Sequence, residues 1–196
     1  MATEAEKQPI ELFSQWFEEA KSAEPELPEA MSVASVAADG RPSSRMVLLK
    51  DADASGFVFY TNLTSRKSFE IQSNAYVALL FHWKSLKRQI RIEGVVEAVR
   101  DDEADAYFAT RDRGAQIGAW ASDQSSTMLG QFELEKKVAE WTVKFGVGKI
   151  ARPPFWSGMR VVPERYEFWS DGRFRLHERL IYIRDSGSWK TERLFP

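Results

Sequence analysis

Short segments with the apolar–polar alternation of β-strands recur along this chain, each bounded by turn-forming residues. In RQIRIEGVVEAV (88–99), Ile90 and Ile92 fall on one face of an extended strand and polar side chains on the other. Further strands are predicted within 34–50, 56–62, 75–83, 158–169, 173–184 and 188–196, the third of them apolar enough to be buried. Asp39-Gly40 and DSGS (185–188) supply turn signals. This pattern predicts a mainly antiparallel sheet.

Four segments with helical periodicity lie between and around these strands. They are predicted at 9–20, 65–73, 101–111 and 128–146, the last with an inward-facing stripe of Leu134, Val138, Trp141 and Phe145. The 196 residues contain no internal repeat or interdomain linker, and 43% of them are hydrophobic. One α+β domain built on a barrel is therefore expected over 1–196, with 1–8 as a flexible N-terminal tail.

Composition excludes several kinds of chemistry. The chain has no cysteine, and its two histidines, His82 and His177, are far apart in sequence, so disulfides, thiol chemistry and a metal site are not expected. Any redox reaction would need an organic cofactor. The formal charge is −2, from 27 basic and 29 acidic residues, which argues against nucleic-acid binding. Local clusters of positive charge therefore need local explanations.

The N-terminal segment MATEAEKQPIELFSQWFEEA is acidic and lacks the apolar core of a signal peptide. Nowhere does the sequence approach the run of about 18 apolar residues that a membrane-spanning helix needs. The sequence predicts a cytoplasmic protein without a membrane partner.

One predicted helix begins with the wrong charges. Arg66 and Lys67 occupy the first turn after Thr64 or Ser65, where the helix dipole favours acidic residues. Cations at this position are explained if an anion, most often a phosphate, lies between them and the free backbone N–H groups. A solvated turn without any ligand is the alternative, and this segment alone does not decide between the two.

Two further pairs of residues are candidates for binding an anion. Arg45 and Lys50 lie near the two ends of the apolar strand in SSRMVLLKD, although charged strand ends are common. Tyr107 and Arg111 are four residues apart on one helix face, which would suit a second phosphate, although surface positions are the simpler interpretation. Together with Arg66 and Lys67, these clusters indicate a protein that binds one or two phosphorylated small molecules.

The segment RFRLHERL (173–180) also concentrates positive charge. As a continuous strand it would place four basic side chains on one face, and such a face is unfavourable unless an anion lies against it. The four are Arg173, Arg175, His177 and Arg179.

Several longer motifs carry a family resemblance. RMVLLK, GFVFYTN with SRK, RQIRIEG, YFATR, QIGAWAS with QSS, PPFWSGMRVVPERYEFW, RLHER and TERLFP resemble the pyridoxine (pyridoxamine) 5′-phosphate oxidase family, in that order, from about residue 10 to the C-terminus. The resemblance implies an FMN-binding split β-barrel and a homodimer with FMN at the subunit interface. It also implies oxidation of pyridoxamine or pyridoxine 5′-phosphate to pyridoxal 5′-phosphate, with O₂ as acceptor and H₂O₂ as product.

The resemblance also assigns roles to residues. The positions that match FMN contacts, some of them from the partner subunit, are Arg45, Met46, Val47, Leu48, Leu49, Lys50, Tyr60, Thr61, Arg66, Lys67, Gln89, Gln124, Ser125, Trp169 and Arg179. Those that match the grip on the substrate phosphate are Lys50, Tyr107 and Arg111. Arg175 and His177 match the substrate-binding pair beside the pyridine ring and are the catalytic candidates.

Two departures from the family pattern bear on function. Ala115 stands where the family usually has a serine that contacts the substrate phosphate, and few residues precede the first helix, so an N-terminal lid is not expected. Two alternatives stay open: an FMN-dependent oxidase of another heterocycle, such as a phenazine precursor, or a flavin- or pyridoxal-phosphate-binding protein with little catalysis. A structural barrel without a ligand would leave Arg66 and Lys67 unexplained.

Overall fold

The computed structural model describes residues 4–196. Within this part of the chain, nine strands form one sheet: β1 (Ala30–Val36), β2 (Pro42–Leu48), β3 (Asp51–Asp53), β4 (Gly56–Asn62), β5 (Tyr76–Trp83), β6 (Arg88–Ala98), β7 (Trp156–Ser170), β8 (Glu178–Asp185) and β9 (Ser188–Arg193). Five α-helices accompany it: α1 (Pro9–Ala23), α2 (Arg66–Ser73), α3 (Asp101–Thr110), α4 (Arg113–Ala121) and α5 (Glu133–Phe145). The predicted α+β class is confirmed.

All strand pairs in this sheet are antiparallel, in the order β2-β1-β5-β6-β7-β4-β3, with β8 and β9 continuing from β7. The long strand β7 pairs with β6 on one side. On its other side, its first half pairs with β4 and its second half with β8. The pairing of β6 with β7 shifts register at Glu93/Gly94. A side chain at Gly94 would lie 2.1 Å from the carbonyl oxygen of Val162, so only glycine fits this close approach.

The main core forms between α1 and one face of this sheet. Phe13 of α1 packs edge-on against Phe57 and Phe81, with ring centroids 4.8 and 5.3 Å apart. Trp16 packs edge-on against Phe168 at 5.2 Å. The helix therefore covers the centre of one face and leaves the opposite face for other contacts.

That opposite face exposes apolar side chains. In β5, predicted as a fully buried strand, alternate residues are exposed, with Tyr76 at 60% and Leu80 at 38%. Ser32 on β1 pairs with Met46 on β2 and with Leu80 on β5, so these three residues lie side by side on this face. Met46 is 64% exposed. Within residues 4–196 only one face of β5 is covered, so the single chain does not bury the whole of this strand as the sequence predicted.

The segment 173–177 is not part of a strand, so the predicted single face of four basic residues is wrong. Residues Arg173–Arg175 form a 3-10 turn, and β8 begins only at Glu178. Phe174 and Arg175 have φ values of 58° and 63°, the left-handed region in which a strand cannot continue. A Cβ at Gly172 would lie 1.9 Å from the carbonyl oxygen of Leu176, so the tight turn requires glycine there.

Three other boundaries differ from the sequence predictions. Helix α4 lies in a segment for which no helix was predicted, because Gly114 and Gly118 lower its helix propensity. Helix α5 begins at Glu133 rather than at residue 128, and Leu134 is 40% exposed instead of facing inward. In the segment predicted as a flexible tail, residues 1–3 lie outside the described part, and Glu4–Glu6 form a 3-10 turn. The Tyr182 hydroxyl donates a hydrogen bond of 2.5 Å to the Glu4 carbonyl oxygen.

Candidate functional site

A cavity of about 770 Å³ opens between β2, β4, α2, α3, α4 and the loop that follows α4. Most of the residues predicted to bind ligands line it: Arg45, Met46, Val47, Leu48, Lys50, Tyr60, Thr61, Arg66, Lys67, Tyr107, Arg111, Gln124 and Ser125. These residues are far apart in sequence. The sheet pairing, together with helices α2 and α3, brings them together. The cavity is the candidate functional site.

Lys67 is a buried cation in the wall of this cavity. Its ammonium group donates hydrogen bonds to Thr61 Oγ1 at 2.7 Å, Gln124 Oε1 at 3.0 Å and Ser65 Oγ at 3.1 Å. All three acceptors are neutral, and no carboxylate within residues 4–196 pairs with this lysine. Burial, together with the nearby charge of Arg45, lowers the pKa of Lys67 from 10.5 to about 8. The site therefore holds a positive charge that an anion could neutralise.

The two arginines near Lys67 are paired instead with Glu70. The Glu70 carboxylate accepts hydrogen bonds from Arg45 Nη2 at 2.9 Å and from Arg66 Nε at 2.8 Å. It also accepts hydrogen bonds from the Ser35 and Ser43 hydroxyls at 2.6 and 2.5 Å. Burial alone would raise the pKa of Glu70, but these hydrogen bonds outweigh it and lower the pKa to about 2. Glu70 therefore stays ionised and fixes both arginines.

The formal charges of this cluster leave an excess. Three cations, Arg45, Arg66 and Lys67, surround one carboxylate, Glu70, so the cluster carries a formal charge of +2. A phosphate monoester carries about −1.5 to −2 at neutral pH. The backbone N–H groups of the first turn of α2, which begins at Arg66, add further partial positive charge. This end of the cavity is electrostatically suited to a phosphate group.

A stack of aromatic rings also lines the cavity. Tyr60 lies parallel to Tyr107, with centroids 3.9 Å apart, and to Trp156, at 5.2 Å. Burial, with smaller contributions from Glu103 and Tyr107, raises the pKa of Tyr60 to about 12, so its phenol stays neutral. These rings form a rigid apolar wall.

Arg111 lies against this wall without a carboxylate partner in residues 4–196. Its guanidinium carbon is 4.8 Å from the Trp156 ring centroid and 5.7 Å from that of Phe108. Its Nη1 atom is buried and makes no hydrogen bond. Burial lowers the pKa of Arg111, which indicates the cost of holding this charge without an anion. Arg111 is thus a second unpaired cation.

Six predicted site residues do not line the cavity. Leu49 is 5% exposed and belongs to the hydrophobic core, since the adjacent residues of its segment point the other way. The others lie on β6, at the end of β7, in the segment before β8 or on β8: Gln89, Trp169, Arg175, His177 and Arg179. The structure therefore divides the predicted residues into two groups.

The second group is itself a cluster. The sheet register places Trp169 directly between Gln89 on β6 and Arg179 on β8. The His177 ring lies 4.7 Å from the Trp169 ring, and its Nδ1 is 3.2 Å from Asp171 Oδ1. Arg179 is held by the buried carboxylate of Glu167 at 2.7 Å. Gln89 and Trp169 share the sheet face that exposes Leu80 and Met46.

Sequence reasoning missed several residues that matter to the geometry. Glu70 and Trp156 had no assigned role, and the cavity-lining residues Ser43, Ser44 and Asn62 were not predicted either. Gly118, Ala119 and Ser122 fall in IGAWASDQSS (117–126), whose small and polar residues suit a segment beside a ligand, although no role was predicted for them individually. Strand alternation could have indicated Ser43, which shares a face with Arg45 on β2. The contact of Trp156 with Arg111 has no signal in the sequence, because it depends on how α3 lies against β7.

A curled antiparallel sheet with two cations that lack a carboxylate partner in one cavity, Lys67 and Arg111, defines a class of small-molecule anion-binding proteins. Comparison with known proteins identifies the family within this class. Residues 17–145 match the family described as "Pyridoxamine 5′-phosphate oxidase", and residues 156–196 match the "Pyridoxine 5′-phosphate oxidase C-terminal dimerisation region". The chain therefore belongs to the pyridoxamine 5′-phosphate oxidase family, an oxidoreductase family, and the resemblance seen in its motifs is confirmed.

Individual relatives agree with this assignment. The chain is 59% identical to a pyridoxine/pyridoxamine 5′-phosphate oxidase of Caulobacter vibrioides over 98% of this chain and 86% of the relative. It is 53% identical to one of Rhodospirillum rubrum over the whole of both chains. Among solved structures, PhzG from Burkholderia lata in complex with tetrahydrophenazine-1-carboxylic acid is 33% identical, with a TM-score of 0.93 over 98% of this chain and 95% of that one.

One structure shares the fold at low identity. A pyridoxamine 5′-phosphate oxidase-related, FMN-binding protein from Nostoc punctiforme has a TM-score of 0.77 at 15% identity, covering 98% of this chain and 100% of that chain.

Within residues 4–196, none of the helices combines the length and apolar character that crossing a bilayer requires.

Proposed function

We propose that this chain is an FMN-dependent oxidase of phosphorylated B6 vitamers, acting in vitamin B6 metabolism. With pyridoxamine 5′-phosphate the balanced reaction consumes O₂ and water and yields pyridoxal 5′-phosphate, ammonia and H₂O₂. With pyridoxine 5′-phosphate, O₂ is consumed and pyridoxal 5′-phosphate and H₂O₂ are formed. The observation that carries the proposal is the pair of unpaired cations, Lys67 and Arg111, in one cavity. Two phosphorylated ligands, a cofactor and a substrate, would neutralise one each.

The residues present fit a flavin mononucleotide. Lys67, with Thr61 and Gln124 as its neighbours, and the first turn of α2 would hold the phosphate. Arg45 and Arg66, fixed by Glu70, would add charge beside it. Strand β2 and Ser125 would line the remainder of the cofactor site. FMN would supply the two-electron acceptor for the oxidation, a role that the side chains of this cysteine-free chain do not fill.

The chain's own residues would bind and orient the substrate. Lys50, Tyr107 and Arg111 would grip its phosphate, and the unpartnered Nη1 of Arg111 has a free N–H for it. A fixed phosphate at one end of a cavity determines where the pyridine ring lies, and this positioning lowers the barrier. Arg175 and His177 would contact the ring and stabilise charge that develops on it.

Arg175 and His177 do not line the cavity of their own chain, and this supports a site shared between two subunits. The sheet face that carries Gln89 and Trp169 also exposes Met46, Tyr76 and Leu80, an apolar surface suited to a second copy. The match of residues 156–196 to a dimerisation region agrees with this. The proposed active unit is a homodimer in which one protomer provides the cavity and its partner the second cluster around Trp169.

The decisive experiment is turnover by the purified protein. Bound flavin is identified by release and chromatography, and pyridoxal 5′-phosphate and H₂O₂ are measured in air with each of the two phosphorylated substrates. Unphosphorylated pyridoxamine is the matched control, and it should react far more slowly because Arg111 loses its anion. A protein that neither contains nor takes up FMN, or that oxidises neither phosphorylated compound, would contradict the proposal.

A second candidate is oxidation of a different heterocycle. The similarity to PhzG, which was solved with a phenazine derivative, and the missing hydroxyl at Ala115 favour it. The higher identity to the Caulobacter vibrioides and Rhodospirillum rubrum relatives favours the B6 substrates. Turnover of a reduced phenazine carboxylic acid without turnover of B6 phosphates would decide for the second candidate. A protein that only bound flavin would have no use for a second phosphate grip at Arg111.

A further inference from the structure

Trp156, the first residue of β7, is part of the aromatic wall. It is 6% exposed, yet it borders the cavity. Its ring is within 2° of parallel to the Tyr107 ring, at a centroid distance of 6.2 Å, and within 10° of parallel to that of Tyr60. The guanidinium of Arg111 lies 4.8 Å from its centroid. Trp156 therefore contacts two residues of the proposed grip on the substrate phosphate.

The nature of this contact explains how Arg111 stays available. A carboxylate partner would occupy the N–H donors of the guanidinium and compete with an incoming anion. An aromatic face attracts the cation through its quadrupole and leaves the donors at the guanidinium edge free. Within residues 4–196, Arg111 has aromatic neighbours and no carboxylate, and its buried Nη1 is unbonded. The ring thus holds the charge in place without neutralising it.

A separate set of contacts fixes Trp156 relative to α3, the helix of Tyr107. Arg152 donates hydrogen bonds to Asp101 at 2.7 Å and to Asp105 at 2.6 Å, both on α3. It also donates one of 2.8 Å to the carbonyl oxygen of Trp156. The start of β7 and the helix before Arg111 are therefore tied by one side chain.

We propose that Trp156 is a positioning residue that sets the preference for phosphorylated over unphosphorylated substrates by holding Arg111 in place for the phosphate. The proposal rests on the proposed function, since that function supplies the phosphate at Arg111. On this proposal, Trp156 strengthens binding of the substrate's phosphate and does not affect binding of the substrate's ring.

The test compares two ligands that differ only in the phosphate, pyridoxal 5′-phosphate and pyridoxal, by equilibrium dialysis against the FMN-loaded protein. Trp156→Met keeps apolar volume without a ring, and it should weaken binding of the phosphorylated ligand about tenfold with pyridoxal unchanged. Trp156→Phe keeps a weaker aromatic face, and a loss of about threefold is expected. Trp120→Met, which removes an indole of the same apolar cluster outside the cavity, is the matched control and should change neither.

A double-mutant cycle with Arg111→Met separates positioning from general structural damage. If Trp156 acts through Arg111, adding Trp156→Met to Arg111→Met produces no further loss. Equal weakening of both ligands, or a full tenfold loss that persists without Arg111, would overturn the proposal. FMN content and thermal unfolding of each variant verify the fold, and Trp156→Phe provides the measurement if Trp156→Met does not fold.

Failure of the proposed function would look different. A wild-type protein that bound pyridoxal 5′-phosphate no better than pyridoxal would contradict the assigned substrate. Inorganic phosphate then becomes the probe, and weaker phosphate binding in Trp156→Met, but not in Trp120→Met, would still support the coupling of Trp156 to Arg111. Unchanged phosphate binding in Trp156→Met would overturn it.

Discussion

The carboxylate of Glu70 lies 2.9 Å from the guanidinium of Arg45, and this contact joins α2 to β2 at the edge of the cavity. Because the same carboxylate also binds Arg66, one buried acid organises two of the three cations at this end of the site. The third, Lys67, is left without an acid in the described chain. Arg45 and Arg66 are therefore held in ion pairs with Glu70, whereas the charge of Lys67 is available to bind an anionic ligand.

Glu70→Gln is expected to destabilise the fold in a pH-dependent way. The pKa of Glu70 is depressed from 4.5 to about 2, so its stabilising contribution is present above pH 4.5 and is lost as pH falls towards 2. We expect a loss of about 2 kcal/mol in the free energy of unfolding at pH 7, below the full value of the shift because Arg45 and Arg66 line a water-accessible cavity.

Denaturant unfolding between pH 7 and 2.5 measures this difference for the FMN-free protein. Wild type and Glu70→Gln should converge at the acid end, while Glu97→Gln, an exposed carboxylate on β6, should match wild type throughout. A constant gap between wild type and Glu70→Gln across the pH range would contradict the assignment of the charge.

Lys67 should make cofactor affinity fall in mildly alkaline solution. Its pKa of about 8 means that the ammonium loses its proton above pH 8, whereas a bound phosphate would favour the charged form. The dissociation constant of FMN, followed by quenching of flavin fluorescence, should rise by up to about tenfold per pH unit between 8 and 9.5.

Lys67→Arg keeps its charge over this range, so its FMN affinity should be nearly independent of pH. Lys67→Met should bind weakly at every pH. The same alkaline decline in Lys67→Arg as in wild type would show that another group is responsible.

Ala115→Ser should tighten the grip on the substrate phosphate. Ala115 lines the cavity near Arg111 on the next helix, and a hydroxyl there would add one hydrogen bond worth about 1 kcal/mol. We expect the KM for pyridoxamine 5′-phosphate to fall about fivefold, with kcat and FMN affinity unchanged. Ala109→Ser, at an exposed position of α3 outside the cavity, is the control. An unchanged KM would mean that the phosphate lies beyond reach of residue 115.

Mixed dimers should recover activity from two inactive parents. In the shared-site proposal, Lys67→Met damages the cavity of its own protomer, and Arg175→Met damages the cluster that completes the partner's cavity. After co-refolding in equal amounts, half of the dimers are mixed and each has one intact site, so about a quarter of wild-type activity is expected. Steady-state turnover against the separate parents measures it. No recovery, with mixed dimers demonstrated by mass, would place both residues in the same protomer's site.

The sequence predicted most of the sheet and the character of one end of the site. The run of strand-forming residues after a glycine turn predicted the bounds 56–62 that β4 has, and the basic residues at the start of α2 indicated an anion. Both signals are local, because they depend on residues adjacent along the chain. For the same reason, the grouping of Lys67 with Gln124 followed only from the family resemblance.

Errors arose where a conformation depends on a few special residues. The turn at 173–175 relies on positive φ at Phe174 and Arg175, and neither residue type signals it. Trp156 has no spacing rule that connects it with Arg111, since their contact depends on α3 lying against the start of β7. The separation of the site residues into the cavity and the cluster around Trp169 likewise depends on which strands pair and in which register. The pattern of residues along the sequence does not show this pairing.

The uncompensated charge of Lys67 has a consequence outside catalysis. A phosphate-bearing ligand that binds only the folded chain adds stability in proportion to the logarithm of its concentration. Newly made chains in a flavin-starved cell would unfold more often, and be degraded sooner, than the same chains in a cell with ample flavin. The abundance of this protein would then follow the supply of its cofactor without any change in transcription, and pulse-chase half-lives under riboflavin limitation would measure the dependence.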